Sequence, residues 1–340
     1  ISIIFILILL LSLSIDKSLI NPLKERIYSI LNYQNINKHL EIISLEIKED
    51  AITELINQNN FFINTNNGIL DKDYNQSVKA NIFYDNREIK GKLKLNGQTS
   101  SHRENLSFSF KGKKILFENS TNRDFSFRKY NERPIYDYMI MKIFQKNNIL
   151  ATQIAYKKLY INGKDNGVYA IQENINNNFL EKNFYRGGPV ISLRNYHFES
   201  NYFNTSFEKH KAYKKGYFTD VNEDTEGSAI SDYAVKILNE FFNSRDNIDK
   251  YFHIESWAKY FALCDVYLCY DLDTQDMRFY YDPIIKKFLP IADDPHSNLY
   301  DKIKSLFIDS FSEKRGGYVS YFKDDYYFIL NSFFQSNEFL

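Results

Sequence analysis

Cysteine is nearly absent from this chain, tryptophan, proline and glycine are scarce, and neither sign of charge is in excess. Two cysteines in 340 residues, Cys264 and Cys269, cannot build a disulfide framework, and nothing around them resembles a zinc site. They stand five positions apart in what reads as one helix, so they point in different directions and are expected to be buried structural thiols. The 43 basic and 43 acidic residues cancel, which argues against a nucleic acid or other polyanion as the main partner. Twelve glycines and six prolines, beside heavy use of Asn, Ile and Lys, reflect A/T-rich codon usage rather than a functional signal. What the chain has in abundance is aromatic side chains, 27 Tyr and 29 Phe, within an apolar fraction of 44%. That excludes a disordered chain and allows one large domain or two ordinary ones around a substantial core.

The longest apolar run is Ile1 to Ile15, relieved only by serines. It is short of the roughly 20 residues that span a bilayer, but the sequence opens on Ile1 rather than Met and breaks off at Leu340 without terminal punctuation, so a piece of a longer chain is expected. The run reads as a signal peptide or membrane anchor within residues 1–20, with no convincing cleavage site after Ser14. Lys17, Lys24 and Arg26 follow it, and residues 21–40 read as a spacer. A membrane-anchored or exported domain is the expectation, its sidedness open.

Hydrophobic periodicity then predicts strands over Glu41–Lys48, Val78–Phe83 and Ile89–Leu95, the last two paired around Asp85-Asn86, and a helix over Ala51–Gln58. Leu106–Phe110 and Ile115–Phe117 read as a hairpin across Lys111-Gly112-Lys113. A helix is predicted from Pro134 to Asn147, and strands over Ile154–Ile161 and Val168–Glu173 flank an Asn162-Gly163 turn. Residues 194–224 read as an insertion or long loop, Ser231–Phe242 and Ile254–Tyr267 as helices, and Phe279–Tyr281 with Phe288–Ala292 as a hairpin across Asp282-Pro283. Strands first and helices later give an α+β chain with two lobes.

The candidate chemistry lies in an acidic cluster: Asp271, Asp273, Asp276, Asp293 and Asp294. A hairpin brings its two ends together, so the first three could face the last two. Convergent carboxylates suit a hard cation such as Mg²⁺, and a solvated acidic loop is the plainer alternative. Asp271, Asp273, Asp276 and Asp282 also echo positions of a calcium-binding EF-hand loop, although the glycine that such a loop needs is Asp276 here.

Asp271-Leu-Asp-Thr-Gln-Asp276-Met-Arg-Phe-Tyr-Tyr-Asp-Pro, followed by Phe288-Leu-Pro-Ile-Ala-Asp-Asp294, resembles the pattern of the spore-coat protein H (CotH) kinase family. The likeness extends to Lys90-Gly-Lys-Leu-Lys-Leu-Asn-Gly97 with Ser100, Ser101 and His102, and to Phe125-Ser-Phe-Arg128 with Arg133. It continues through Asn162-Gly163, Gly167, Tyr169 and Glu173 to Arg186-Gly187-Gly188, about Glu41 to Asp294 in all. The resemblance implies an atypical protein-kinase-like fold over residues 41–340, with a first lobe to about 185 and a second beyond it. It implies an ATP-dependent phosphotransferase using Mg²⁺ or Mn²⁺ on a protein or cell-envelope substrate. Asp271 takes the place of the catalytic-loop acid, with Asp273 as its rival. Asp276 and Asp294 take those of the metal ligands, and Arg128, ahead of Lys94, that of the nucleotide-pairing cation, with Glu173 as its acidic partner. Asp276 stands where the family has Asn, and Gln275 where His is frequent, which leaves a catalytically inactive scaffold or surface-binding protein as the alternative. The metal-site reading expects Asp271, Asp276 and Asp294 within roughly 4–8 Å of one another, and a kinase fold could also transfer a different group.

Overall fold

A computed structural model describes residues 40–65, 75–96, 107–117, 120–129, 135–193, 218–220, 224, 225, 227–244, 247–267, 269, 277–295, 332, 333 and 336. They form a mixed α+β structure built on two sheets. The first is a closed barrel of β1 (Ile42–Ile47), β2 (Val78–Tyr84), β3 (Arg87–Leu95), β4 (Phe108–Gly112), β5 (Asp124–Lys129), β8 (Lys164–Glu173) and β7 (Ile154–Ile161), in that order around the ring. The second runs β10 (Phe218–Asp220), β9 (Val190–Leu193), β11 (Arg278–Asp282), β12 (Lys287–Ala292) and β6 (Leu150–Ala151). Five α-helices accompany them: α1 (Glu49–Thr65), α2 (Ile135–Lys146), α3 (Asn177–Lys182), α4 (Ala229–Ser244) and α5 (Ile254–Tyr267).

Alternation of side chains along the strands makes the barrel. Ile43, Leu45 and Ile47 of β1, Leu93 and Leu95 of β3, Phe108 and Phe110 of β4, Phe125 and Phe127 of β5, and Tyr169 and Ile171 of β8 fill one interior core. Phe108 stacks on Phe127 across the β4–β5 pair, ring centroids 4.8 Å apart. The tight turns follow from local chemistry. Asp85 and Asn86 between β2 and β3 have φ of 51° and 55°, and Asn162 and Gly163 between β7 and β8 have 48° and 78°, the left-handed pair that a two-residue hairpin with right-handed strand twist requires. Closure is made by a parallel pairing of β1 with β7. Asn162 extends it beyond the strand end: its side-chain amide accepts from the Ile47 N–H at 2.8 Å and donates to the Ile47 carbonyl at 2.7 Å.

Gly91, opposite Gly112 on the β3–β4 pair, is a glycine for want of space. A Cβ there would lie 2.4 Å from Cζ of Phe110 and 2.5 Å from the Lys111 carbonyl oxygen. Gly91→Ala is therefore expected to lower the unfolding free energy by about 1–3 kcal/mol, read as a shift in urea midpoint. A midpoint equal to the parent's would show that the Phe110 ring and the Lys111 carbonyl both give way at no cost.

The second core is aromatic and lies under α2, α4, α5 and the second sheet. Phe241, Phe252, Trp257, Tyr260, Phe261, Phe279, Phe288 and Phe333 gather there with Phe144 of α2. Trp257 is fully buried and donates its indole N–H to the Phe288 carbonyl of β12 at 3.0 Å. Cys264 and Cys269 are both buried and free, but Cys269 lies beyond the end of α5, where its N–H donates to the Cys264 carbonyl at 2.9 Å.

Several expectations are corrected. Lys111-Gly112-Lys113 is not a hairpin turn and residues 115–117 form no strand: β4 continues through Gly112 and pairs antiparallel with β3 on one side and β5 on the other. The reason is long-range. Gly112 N–H donates to the Arg123 carbonyl and Lys113 N–H to the Lys90 carbonyl, so the glycine sits inside the ladder. The supposed loop at 194–224 contributes β10 to the second sheet. Strands and helices are not segregated along the chain, because β9 to β12 follow the barrel, and α1 runs well past the predicted Gln58. The apolar run Ile1–Ile15 and the spacer lie outside the described residues up to Leu40. Among the described residues no helix is long and apolar enough to cross a membrane.

Candidate active site

The two sheets meet along one short segment. Leu150 and Ala151 pair in parallel with Ile291 and Ala292 as the edge of the second sheet, and three residues later, at Ile154, the chain enters the barrel as β7. Thr152 N–H donates to the Ala292 carbonyl at 3.2 Å, and Gln145 of α2 donates to the Ala151 carbonyl at 3.0 Å. Asp293 and Asp294 follow directly on β12, at this seam.

Both aspartates are buried, and in this setting a carboxylate must be paired to stay ionised. Asp293 meets Arg278 of β11 through Oδ2, while its Oδ1 accepts from Thr152 Oγ1 at 3.1 Å and from Gln172 Nε2 at 2.9 Å. Asp294 Oδ2 lies 3.1 Å from Arg128 Nη1. Arg128 comes from β5 of the barrel and Asp294 from the end of the second sheet, 166 positions apart in sequence, so this ion pair crosses the seam.

Strand alternation sets what else can join them. Along β8, Ala170 belongs to the second core and Gln172 reaches Asp293, whereas Tyr169 and Ile171 fill the barrel. Glu173 falls on the barrel-side phase, away from Arg128. Its carboxylate accepts from Lys182 Nζ at 3.1 Å and from the Gln153 N–H at 3.1 Å. Lys182, not Arg128, is thus its partner. Lys94 is exposed on the outer face of β3, opposite Ser109 of β4, which in turn pairs with Ser126 of β5. Asp271, Asp273 and Asp276 lie outside the described residues, and with them the expected clustering around Asp294. Among the described residues no group of three or more His, Cys, Asp or Glu gathers as a metal site.

Burial drives the Glu173 carboxyl above its ordinary 4.5, against the opposing pull of Lys182, the Gln153 N–H and Lys142. A carboxyl raised on folding binds its proton more tightly in the native state, so it contributes a stability that declines as pH rises from 4.5 through the folded value. The difference in unfolding free energy between the parent and Glu173→Gln is expected to show this slope, which urea titrations at successive pH values would reveal. Parallel pH profiles would place the native carboxyl at its unfolded pKa.

Gln172, Thr152, Arg278 and Lys182 hold this site together, and sequence reasoning passes over all four. Only Arg278 carries a readable signal, as a basic residue two positions beyond an acidic loop. The family model described as CotH kinase protein matches residues 89–296, from β3 to just beyond Asp294, and leaves β1, α1 and β2 outside it. No curated protein matches the chain. With a match over more than half its length, in the order of elements that brings Arg128 to Asp294, the chain belongs to the CotH kinase protein family, a kinase-like phosphotransferase family.

Proposed function

We propose that this chain is an ATP-dependent phosphotransferase acting on a protein or cell-envelope component, with the barrel as its first lobe and the second sheet with its helices as its second. The observation that carries the reading is the Arg128–Asp294 pair, a cation from one sheet facing an acid from the other. Phosphoryl transfer demands chiefly positioning and charge neutralisation, and a half-buried cation next to a buried carboxylate supplies one group for phosphate oxygens and one for a divalent cation.

The donor set fits Mg²⁺ or Mn²⁺. Mg²⁺ needs only one or two protein carboxylates, the rest being phosphate oxygens and water. Asp294 and Asp276 would hold it. Asp293 would not, since Arg278, Thr152 and Gln172 take its oxygens. Such a cation supplies neutralisation of phosphate charge. Arg128, released from Asp294, turns its guanidinium to the phosphates. Asp271, or Asp273 in its place, orients the acceptor hydroxyl and takes its proton as the new oxygen–phosphorus bond forms and the bond to ADP breaks. Lys94 stands on the outer barrel face as a reserve phosphate contact, and Glu173 anchors the end of β8 that bears Gln172. The apolar segment within residues 1–20 would tether or export the domain.

Asp276 in place of Asn supports the second reading, a scaffold without turnover. Calorimetry with ATP and Mg²⁺, joined to transfer of labelled γ-phosphate, separates the two. Heat that requires both ATP and Mg²⁺, with label transferred, is the expected result. Binding without transfer leaves the scaffold, and no binding removes the nucleotide altogether.

A further inference from the structure

Among the described residues, one end of the barrel is open. A cavity of about 980 Å³ lies where β1 and β7 begin and β2 and β8 end, walled by Phe117, Phe125, Tyr138, Tyr156 and Ile171. That volume falls at the upper end of small-molecule sites, roughly 300–1,000 Å³. On β8 the cavity is lined by Ile171 and Glu173, the phase opposite to Gln172 and Asp293, while its Tyr138 and Tyr156 wall packs against the second core.

Besides Lys142 and Glu173, the cavity carries a polar cluster at its β1 end. Lys157 Nζ sits 5.2 Å from the Tyr84 ring centroid and 5.7 Å from that of Phe117, with the Tyr84 hydroxyl at 3.2 Å. Lysine and tyrosine both donate to the same oxygen, Oε2 of Glu41. The lysine side chain is only 14% exposed, whereas that of Glu41 is 62% exposed. A largely buried cation and a phenol therefore converge on a carboxylate that reaches in from solvent, with aromatic walls behind it. Glu41 displays what the slot accepts.

We propose that the barrel mouth binds a small aromatic carboxylate, whose carboxylate displaces Glu41 from Lys157 and Tyr84 and whose ring lies against Phe117 and Phe125. The anion that one ammonium and one hydroxyl hold here is already a carboxylate, through a single oxygen of Glu41. Glu41 and Tyr84 both precede residue 89, where the family match begins, so the slot is built partly from residues outside that match.

The test is fluorine NMR of para-fluorophenylacetate titrated with the full chain. Line broadening is expected for the parent. Glu41→Gln should tighten binding by about tenfold, because a tethered competitor that fills the slot nine-tenths of the time lowers apparent affinity by that factor. Lys157→Met should weaken it at least about tenfold, and Tyr84→Phe, which keeps the ring, less. Arg128→Met and added ATP with Mg²⁺ should change nothing, so the outcome does not depend on whether the chain transfers phosphate. The proposal is overturned if parent and Glu41→Gln both leave the line sharp. It is equally overturned if Lys157→Met and Tyr84→Phe bind like the parent, or if ATP displaces the probe.

Discussion

Asp294→Asn is expected to abolish Mg²⁺-dependent nucleotide binding, whereas Asp271→Asn should leave binding nearly intact and cut transfer by about 10²–10⁴-fold. The two acids would act on different partners. Asp294 is buried at the seam, where its only charged contact among the described residues is Arg128 at 3.1 Å. Replacing its carboxylate by an amide removes the charge that a divalent cation needs and breaks the ion pair with Arg128, so the loss falls on the ground-state complex. Asp271 would meet only the acceptor hydroxyl, so its loss appears in turnover. Calorimetry with ATP and Mg²⁺ reads the first effect and labelled γ-phosphate the second. Should Asp273→Asn lose turnover while Asp271→Asn keeps it, the base is Asp273. Should Asp294→Asn and Asp271→Asn both behave like the parent, the acids serve no transfer and the scaffold reading stands.

Trp257→Ala should cost about 3–5 kcal/mol, a large part of the roughly 5–15 kcal/mol that holds a domain folded. The indole is fully buried among Phe252, Tyr260, Phe261, Phe279 and Phe333, with ring centroids 5.3–5.6 Å away. Truncation empties that space and also strips the Phe288 carbonyl of its indole donor. Trp257→Phe keeps most of the ring volume and should lose less than half as much. Urea unfolding of the two variants beside the parent measures both. A Trp257→Ala midpoint within experimental error of the parent's would mean that the aromatic core collapses around the void. Because β12 carries Asp293 and Asp294, nucleotide affinity in Trp257→Ala is expected to fall with stability.

Much of the fold is legible because its signals are local. Asp85-Asn86 and Asn162-Gly163 announce hairpins through backbone angles that few other residues tolerate, and α5 shows its span in its apolar period. The β4–β5 pairing is not legible, because Lys111-Gly112-Lys113 has turn composition but is held in a ladder by Arg123 and Lys90. Leu150-Ala151 is too short to show a period, yet those two residues join the sheets. At the site, Asp294 and Arg128 can be named through family resemblance, while the atoms that position the seam cannot. Gln172 and Thr152 are neutral residues whose importance arises only when Asp293 arrives between them from 121 and 141 positions away. Glu173 shows the same limit from the other side: one position along a strand separates it from Gln172 and turns it to the opposite face.

The barrel's ring is sealed by its first strand and a strand whose terminal turn lies 115 positions further on. A ribosome delivers these in order, so until β7 has emerged β1 has β2 on one flank and, among the described strands, no partner on the other. The domain therefore cannot mature stepwise from its amino end. Its opening hairpin must wait, with one flank bare, until Asn162 arrives to latch onto Ile47.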